Sequence, residues 1–211
     1  MSRFDPDCRR CARLAAFLDD VRSRHPGYHC RPVAAFGDDD PRVLVVGLAP
    51  GMHGANATGR PFTGDYAGVL LYRTLHQFGF ASAPESVSAD DGLRLPGCRI
   101  TNAVKCLPPQ NKPVGAEINT CRAFLVQELE AFTDGGVVVA LGSIAHKSVV
   151  AAFGAKQKDH AFGHAAEHSM PRGITLIDSY HCSRYNTQTR RLTDAMFEQV
   201  FTRAREIVSP V

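Results

Sequence analysis

The fold is decided by residues 42–65, RVLVVGLAPGMHGANATGRPFTGD. The opening part of this stretch, 42–47, is a short β-branched run that predicts a buried strand. The remainder is rich in glycine and other turn formers, which predicts a loop and argues against a helix. Helical spacing of apolar residues resumes over 67–78. A strand that leads through a loop into a helix is the repeating unit of an α/β fold.

The rest of the chain repeats this alternation. Further β-branched or apolar runs predict strands at 99–104, 137–141 and 174–177. Apolar residues at helical spacing predict helices at 7–25, 116–132, 143–153 and 188–208. The polar segments 81–97 and 156–173 predict loops. Strands that alternate with helices indicate a largely parallel sheet.

Three of the four predicted strands end in loops dense in polar and turn-forming residues, at 47–65, 104–115 and 178–187. In an open α/β sheet, ligands bind in the crevice outside the carboxyl ends of the strands. We therefore expect these three loops to converge on one crevice.

Length and composition narrow the class of protein. The chain has 211 residues, and a typical domain has roughly 150, so we expect a single domain over 1–211. The hydrophobic fraction of 44% and the charged fraction of 21% exclude a disordered or fibrous chain. No apolar run approaches the roughly 20 residues that span a bilayer, and the N-terminus lacks the apolar core of a signal peptide. We therefore expect a cytoplasmic protein without a membrane partner.

The seven cysteines include two pairs that suit a metal site. In a reducing compartment, clustered cysteines favour metal ligation over disulfides. The pairs are Cys8 with Cys11 and Cys106 with Cys121. Four thiolates suit a structural zinc ion or an iron–sulfur cluster, and the spacing does not decide between them. The alternative is that these cysteines are small buried hydrophobic residues.

Two residues of the glycine-rich loop are candidates for chemistry. Phe62 lies in a polar loop, where it is either partly buried or a stacking surface for a flat ring. Asp65 is either the N-cap of the helix that follows or a general base at the crevice, and both roles are compatible. The loop lacks the lysine and the spacing of a phosphate-binding loop.

The motifs then resemble a known family. The segments VVGLAPGMHGANATGRPFTGD, ITNAVKCLPPQNKP and SYHCSRYNTQTRRLT, in this order, together with the four paired cysteines, resemble the iron–sulfur-containing uracil-DNA glycosylases, nearest the type B, or family 5, enzymes. The resemblance extends from about residue 8 to residue 193. It implies a three-layer α/β/α sandwich around a four-stranded parallel sheet.

The same resemblance implies an activity, a cofactor and a partner. The protein is expected to be a DNA repair enzyme that hydrolyses the N-glycosidic bond of uracil in DNA, leaving an abasic site, and to act also on other deaminated bases such as hypoxanthine. Its cofactor is expected to be a [4Fe–4S] cluster on Cys8, Cys11, Cys106 and Cys121. Its partner is DNA that contains such a base, and it is expected to be a monomer, bacterial in type and located at the nucleoid when bound to DNA.

By position in the family motifs, four side chains carry the chemistry. Phe62 stacks on the base, Asn102 reads its Watson–Crick edge, and His181 donates to the uracil oxygen as negative charge develops. Asp65 positions or activates the water, because Leu48 and Ala49 stand where many relatives outside type B carry a polar side chain. The remaining base-binding positions are Gly47, Ala49 and Gly51.

The segment 181–191 is expected to enter the duplex and contact phosphates through Arg184, Tyr185 and Arg190. It departs from the family at Cys182, where many relatives have proline, and at Arg190, where glycine is expected. Asn111 is a further polar candidate near the crevice. Three histidines are spaced four residues apart, as on one face of a metal-binding helix: His160, His164 and His168. They lie in a polar segment that favours a loop instead.

Two other functions fit parts of the pattern. One is a catalytically impaired nucleic-acid-binding protein with a structural metal cluster, which the apolar pair Leu48 and Ala49 favours. The other is a hydrolase of small nucleotides with a zinc site. Substitution of Asp65 and His181 separates the first from a glycosylase, because only in an enzyme would turnover fall while DNA binding persists.

Overall fold

The computed structural model describes residues 4–209, and its centre is a six-stranded sheet. In chain order the strands are β1 (Phe36–Gly37), β2 (Val43–Gly47), β3 (Cys98–Asn102), β4 (Val137–Leu141), β5 (Glu167–Ser169) and β6 (Thr175–Ser179). Their order across the sheet is β1-β3-β2-β4-β6-β5. The four central strands are parallel, and the two edge strands are antiparallel to their neighbours.

The helices lie on both faces of this sheet. They are α1 (Ala12–Arg24), α2 (Ala55–Thr58), α3 (Tyr66–Gln77), α4 (Gly115–Glu130), α5 (Ser143–Ala152), α6 (Arg184–Gln188) and α7 (Asp194–Val208). Helices α3 and α7 pack together on one face, and α4 and α5 pack together on the other. The expected α/β/α layering is confirmed.

Strand β2 shows why the sheet is buried on both faces. Val43 and Val45 belong to the core under α3 and α7, whereas Leu44 and Val46 belong to the core under α4 and α5. Successive side chains of a strand point to opposite faces, so a continuous apolar run serves two cores. Helix α1 forms a third, smaller core with the loop after β3, where Leu14 and Val21 pack near Val104.

The prediction of a four-stranded sheet was wrong in strand count, although its parallel part is as expected. Strand β1 has two residues, too few to show alternation. Strand β5 lies in the segment predicted as a loop, and its sequence, Glu167–Ser169, is polar and partly exposed. An edge strand with solvated side chains carries no apolar signal.

Two helix boundaries also differ from the prediction. Helix α1 begins at Ala12 rather than near residue 7, so Cys8 and Cys11 precede it in extended or turn conformations. Helix α7 begins at Asp194, after Thr193 caps it by accepting a hydrogen bond from the Met196 N–H. The predicted domain 1–211 includes residues 1–3 and 210–211, which lie outside the described part. Within residues 4–209, every helix falls short of the length and apolar character that crossing a bilayer requires.

Candidate active site

A cleft of about 830 Å³ opens at the carboxyl ends of the central strands. Its walls come from all three loops that the sequence predicted to converge, so that expectation is confirmed. The lining includes Leu48, Ala49, Gly51, Met52, His53, Gly54, Phe62, Asp65, Tyr66, Asn102, Asn111, His181, Ser183 and Arg184. The four proposed chemical groups therefore share one cavity.

Phe62 lies on the wall of this cleft, although its side chain is largely buried. Its backbone has a φ of +55°, a left-handed conformation that is uncommon for a bulky residue. The ring is nearly parallel to that of His181, with 6.1 Å between centroids and 27° between planes. Two aromatic rings with similar orientation therefore lie next to each other in the wall of the cleft.

Gly47 ends β2 behind these side chains. A Cβ at this position would lie 2.4 Å from Asn102 Oδ1 and 2.6 Å from Phe62 Cζ. The missing side chain is what allows the ring and the amide to approach the end of the strand. Gly47 itself does not line the cleft, so it shapes the cleft only through these two neighbours.

Asn102 is the last residue of β3, paired with Gly47 across the sheet. It is only 3% exposed, and its amide oxygen has no hydrogen-bond partner among the described residues. An unpaired buried amide costs free energy that a hydrogen-bonding ligand recovers. Asn102 is thus a polar group prepared for a partner that residues 4–209 do not supply.

The position of Asp65 is compatible with both roles that the sequence left open, the N-cap of a helix and a general base at the crevice. Its Oδ1 accepts a hydrogen bond of 2.9 Å from the Gly68 N–H, so it caps α3. Its Oδ2 faces the cleft, where a Cβ on Gly54 would lie 2.6 Å from it. Burial raises the pKa of the Asp65 carboxyl, and hydrogen bonds from the Gly68 and Ala67 N–H groups oppose that rise. Oδ1 therefore belongs to the helix cap, whereas Oδ2 lies beside Gly51 and Gly54 of the cleft wall.

His181 follows β6 in the loop that leads to α6. Burial lowers its pKa to about 4, so the imidazole is neutral at pH 7. Its ring nitrogens have no partner within residues 4–209, and its carbonyl accepts a 2.8 Å hydrogen bond from Asn186 Nδ2. A neutral imidazole with an unused N–H is a hydrogen-bond donor that carries no charge before reaction.

The three residues expected to contact DNA are all exposed, and one of them lines the cleft. Arg184 lines the cleft and lies over the Tyr66 ring at 5.1 Å. Tyr185 is 70% exposed. Arg190 is exposed, lies outside the cleft lining, and has a φ of +56°, the conformation that favours the glycine expected there.

The four paired cysteines surround one small cavity between α1, α4 and the loop after β3. The Lys105 N–H donates to Cys121 Sγ at 3.2 Å, and Arg10 Nε donates to Cys8 Sγ at 3.3 Å. Burial, together with the nearby cysteines, raises the pKa of Cys106 to about 12. Two segments distant in sequence thus bring four possible metal ligands together.

A second polar cluster was missed by sequence reasoning. The buried Asp178 accepts hydrogen bonds from His146 at 2.7 Å and from His168 at 3.1 Å. It is the only group within residues 4–209 that has three or more possible ligand atoms within 4.8 Å of one another. The other ring nitrogen of His146 is bonded to the His160 carbonyl, so both nitrogens of His146 are occupied. Asp178 therefore forms a hydrogen-bond network that joins β6 to His146 of α5 and His168 of β5.

The three histidines spaced by four do not form a metal-binding face. His160 ends a turn, His164 accepts a hydrogen bond from the Tyr180 N–H at 3.1 Å, and His168 belongs to β5. A signal for the real network was available in the sequence, since the acidic Asp178 directly follows the apolar pair Leu176 and Ile177 of the predicted strand.

Comparison with known proteins identifies the family. A model of the uracil DNA glycosylase superfamily matches residues 34–205. The chain belongs to this superfamily. The match covers the sheet, the cleft and α7 up to residue 205, so the loops that line the cleft lie within the shared region.

Relatives in the superfamily match this chain over nearly its whole length or over about two thirds of it. A type-5 uracil-DNA glycosylase of Thermus thermophilus is 46% identical, over 95% of this chain and 93% of the relative. A type-5 enzyme of Pyrobaculum aerophilum is 42% identical, over 94% of this chain and 88% of the relative. A type-4 enzyme of Archaeoglobus fulgidus is 33% identical over 65% of this chain.

Proposed function

We propose that this protein removes uracil from DNA by hydrolysing the N-glycosidic bond and leaves an abasic site. The observation that carries the proposal is the unpaired, buried amide of Asn102 in the same cleft as Phe62, Asp65 and His181. Membership of the superfamily, and the names of the type-5 relatives, support the same reaction.

Base binding requires extrusion of the nucleotide from the helix into the cleft. In the cleft, the base stacks on Phe62, whose ring is held against Gly47. The Asn102 amide offers both a donor and an acceptor to the Watson–Crick edge of uracil. Thymine differs from uracil by a methyl group at C5 in the plane of the base, so selection against thymine would arise from the cleft residues at the edge of the base and not from Phe62, which stacks on its face.

Bond cleavage leaves negative charge on the uracil and positive charge on the sugar. His181 donates a hydrogen bond to the uracil oxygen as that charge develops, and because its pKa is low it does so as a neutral group. A single donor of this kind is worth on the order of 3 kcal/mol, or about a hundredfold in rate. The Asp65 carboxylate orients the water and its negative charge favours the cationic sugar.

The outer surface of the site binds the DNA backbone. Arg184 lines the cleft, and Tyr185 and Arg190 are exposed in the segment that follows it; we propose that the three contact phosphates and the gap left by the extruded base. All four chemical groups come from one chain, so we propose that a monomer is sufficient. We also propose the cytoplasm as its location, and hypoxanthine as a second base, since the cleft of about 830 Å³ has room for a purine.

We propose further that the four cysteines hold a [4Fe–4S] cluster. The four cysteines line one small cavity, which would allow them to act together as ligands. Four thiolates suit a zinc ion or an iron–sulfur cluster, and the resemblance to the iron–sulfur-containing glycosylases favours the cluster. When bound, the cluster would supply a covalent link between α1, α4 and the loop that continues from Asn102.

The proposed function is tested by excision from an oligonucleotide with a single uracil, opposite guanine or adenine, followed by alkaline strand cleavage. We expect cleavage at uracil and none in a matched thymine strand. Asp194→Asn is a matched control for Asp65→Asn, because Asp194 begins a helix at the surface, away from the cleft. If the metal-loaded protein does not cleave the uracil or hypoxanthine strand, the proposal is wrong, and the nucleic-acid-binding alternative replaces it.

A further inference from the structure

The turn that carries Phe62 is unusual for its sequence. Residues 60–63 form a tight turn closed by a 3.3 Å hydrogen bond from the Thr63 N–H to the Arg60 carbonyl. Pro61 occupies the second position and Phe62 the third, with a φ of +55°. Turns with proline at the second position and a left-handed third position normally place glycine or asparagine there.

A left-handed phenylalanine persists only where its surroundings impose the conformation. Such residues cost on the order of 1–3 kcal/mol and cluster at functional sites. The strain here has an evident use, because it directs the aromatic ring back toward Gly47 and His181. The force that holds the turn must come from contacts outside it.

Arg60, the first residue of the turn, supplies the largest of these contacts. Its side chain is 6% exposed, and its guanidinium donates to Asp91 Oδ1 at 2.6 Å, to Ser86 Oγ at 3.0 Å and to the Ala89 carbonyl at 2.5 Å. The guanidinium also lies over the Phe36 ring, 4.3 Å from its centroid. A planar fork with several partners fixes position more strongly than a single ion pair.

The other end of the turn is held by the same loop. The Thr63 hydroxyl lies 2.7 Å from Ser86 Oγ, so one serine contacts both the first and the last residue of the turn. Between them, the Tyr72 hydroxyl donates to the Pro61 carbonyl at 2.6 Å. Arg60, Pro61 and Thr63 therefore each have a hydrogen bond to a side chain outside the turn.

The loop 81–97 is itself organised for this contact. Asp91 accepts hydrogen bonds from the N–H groups of Val87, Ser88 and Leu93, at 2.8–3.2 Å, while it pairs with Arg60. Its carboxylate thus folds the loop and presents it to the turn. The sequence predicted only a connecting loop here.

We propose that Arg60, Ser86 and Asp91, which we name the turn clamp, are positioning residues for Phe62. They hold the strained turn so that the ring lies ready in the cleft before the base enters. None of the three lines the cleft, so they act through Phe62 and not on the substrate. The inference rests on the stacking role proposed above for Phe62.

The test is a double-mutant cycle between Arg60→Lys and Phe62→Ala, with the single-turnover rate of uracil excision as readout. Lysine keeps the positive charge but lacks the planar guanidinium that donates to several partners at once. We expect Arg60→Lys alone to slow excision by roughly tenfold, because small misplacement of a positioned group is costly. In the Phe62→Ala background, we expect the same change to alter the rate by less than about twofold, because Arg60 then has no aromatic ring to position. About twofold is the deviation from additivity that independent mutations show. Binding of undamaged duplex should be unchanged.

If Arg60→Lys disturbs folding, Ser86→Ala takes its place in the cycle. Ser86→Ala removes one hydroxyl and leaves the Arg60–Asp91 ion pair intact. Arg203→Lys is the control, since Arg203 pairs with Glu167 at 2.8 Å on the surface. Melting temperature reports on folding in every variant.

Each other outcome overturns the proposal in a distinguishable way. Equal losses in both backgrounds would show that Arg60 supports the fold as a whole. No loss from either Arg60→Lys or Ser86→Ala, with Phe62→Ala impaired, would show that the turn holds without the clamp. Unimpaired excision by Phe62→Ala would remove both the clamp and the stacking role, whereas the remaining proposed function would still be testable through Asp65 and His181.

Discussion

At the scale of single residues, the Asp65 carboxylate combines a helix cap with the proposed catalytic role. One oxygen caps α3 through the Gly68 N–H, and the other faces the cleft. Asparagine caps helices about as well as aspartate. The substitution Asp65→Asn therefore separates the two roles, because it keeps the cap and removes the charge.

We predict that Asp65→Asn slows excision by roughly a hundredfold or more while the melting temperature at pH 7 rises. Burial raises the pKa of Asp65, so the fold favours the neutral carboxyl, and the stability from that preference is lost as pH rises through the raised pKa. The wild-type rate should fall as pH drops below that pKa, and the asparagine variant should lack this fall. A lower melting temperature with normal excision would contradict the prediction.

For His181, we predict that alanine slows excision by about a hundredfold with little change in binding to abasic DNA. Its pKa of about 4 means that the wild-type rate shows no step near pH 6.5 from this group. The unfolded chain binds a proton on His181 below pH about 6.5 that the folded chain does not. Stability should therefore decrease as pH falls from about 6.5 toward 4, and less so in His181→Gln. Denaturant unfolding across this range measures both slopes.

At the scale of elements, the site depends on how closely loops approach the strand ends. Gly47 at the end of β2 shows this, because Phe62 and Asn102 occupy the space where its side chain would be. The glycine is needed for packing space, which no local conformational preference reveals.

We predict that Gly47→Ala slows excision by at least about tenfold and destabilises the fold by about 1–3 kcal/mol, as overpacking does. Gly27→Ala is the matched control, since a Cβ on Gly27 meets no atom within 4 Å. Excision assays and denaturant unfolding on both variants test this. Equal behaviour of the two variants would mean that the strand end relaxes freely.

The loop between α6 and α7 is strained at Arg190, whose φ is +56°. We predict that Arg190→Gly raises stability by about 1 kcal/mol, because glycine adopts this conformation without steric cost. If Arg190 contacts a phosphate, the log–log slope of DNA affinity against salt should fall in magnitude by about 0.9. Arg190→Ala should change the salt slope equally without the gain in stability. An unchanged slope in both would place Arg190 outside the DNA interface.

At the scale of the whole molecule, the four cysteines join parts of the chain about a hundred residues apart. They connect α1 and its preceding turn to α4 and to the loop that begins just after Asn102. The third core is small and depends on the position of α1. The proposed cluster at this place would therefore stabilise both the α1 packing and the end of β3 that carries Asn102.

We predict that Cys121→Ala abolishes the visible absorption of purified protein, lowers its melting temperature and reduces its iron and sulfide content. Cys98→Ala is the control, because Cys98 is fully buried elsewhere and is not part of the cysteine cavity. Iron and acid-labile sulfide in equal amounts would support a cluster, and zinc without sulfide would contradict it. Activity is not needed as the readout.

Much of the site was predictable because its parts follow strands whose apolar runs are visible locally. The four central strands, the three loops at their ends and the candidate Asp65 follow from such patterns, whereas Asn102 and His181 were singled out only by their positions in the family motifs. The left-handed φ of Phe62 was not predictable, since the Arg60–Asp91 pair that supports it joins residues 31 apart in a loop without periodicity.

The sequence by itself determined the class of fold, the parallel core of the sheet and the crevice, because alternation and turn composition act over a few residues. Tertiary structure alone decided the two edge strands, the His146–Asp178–His168 network and the turn clamp. Each of these depends on polar contacts between distant segments. Such contacts leave no periodic signal, and only the folded chain brings their partners within hydrogen-bonding distance.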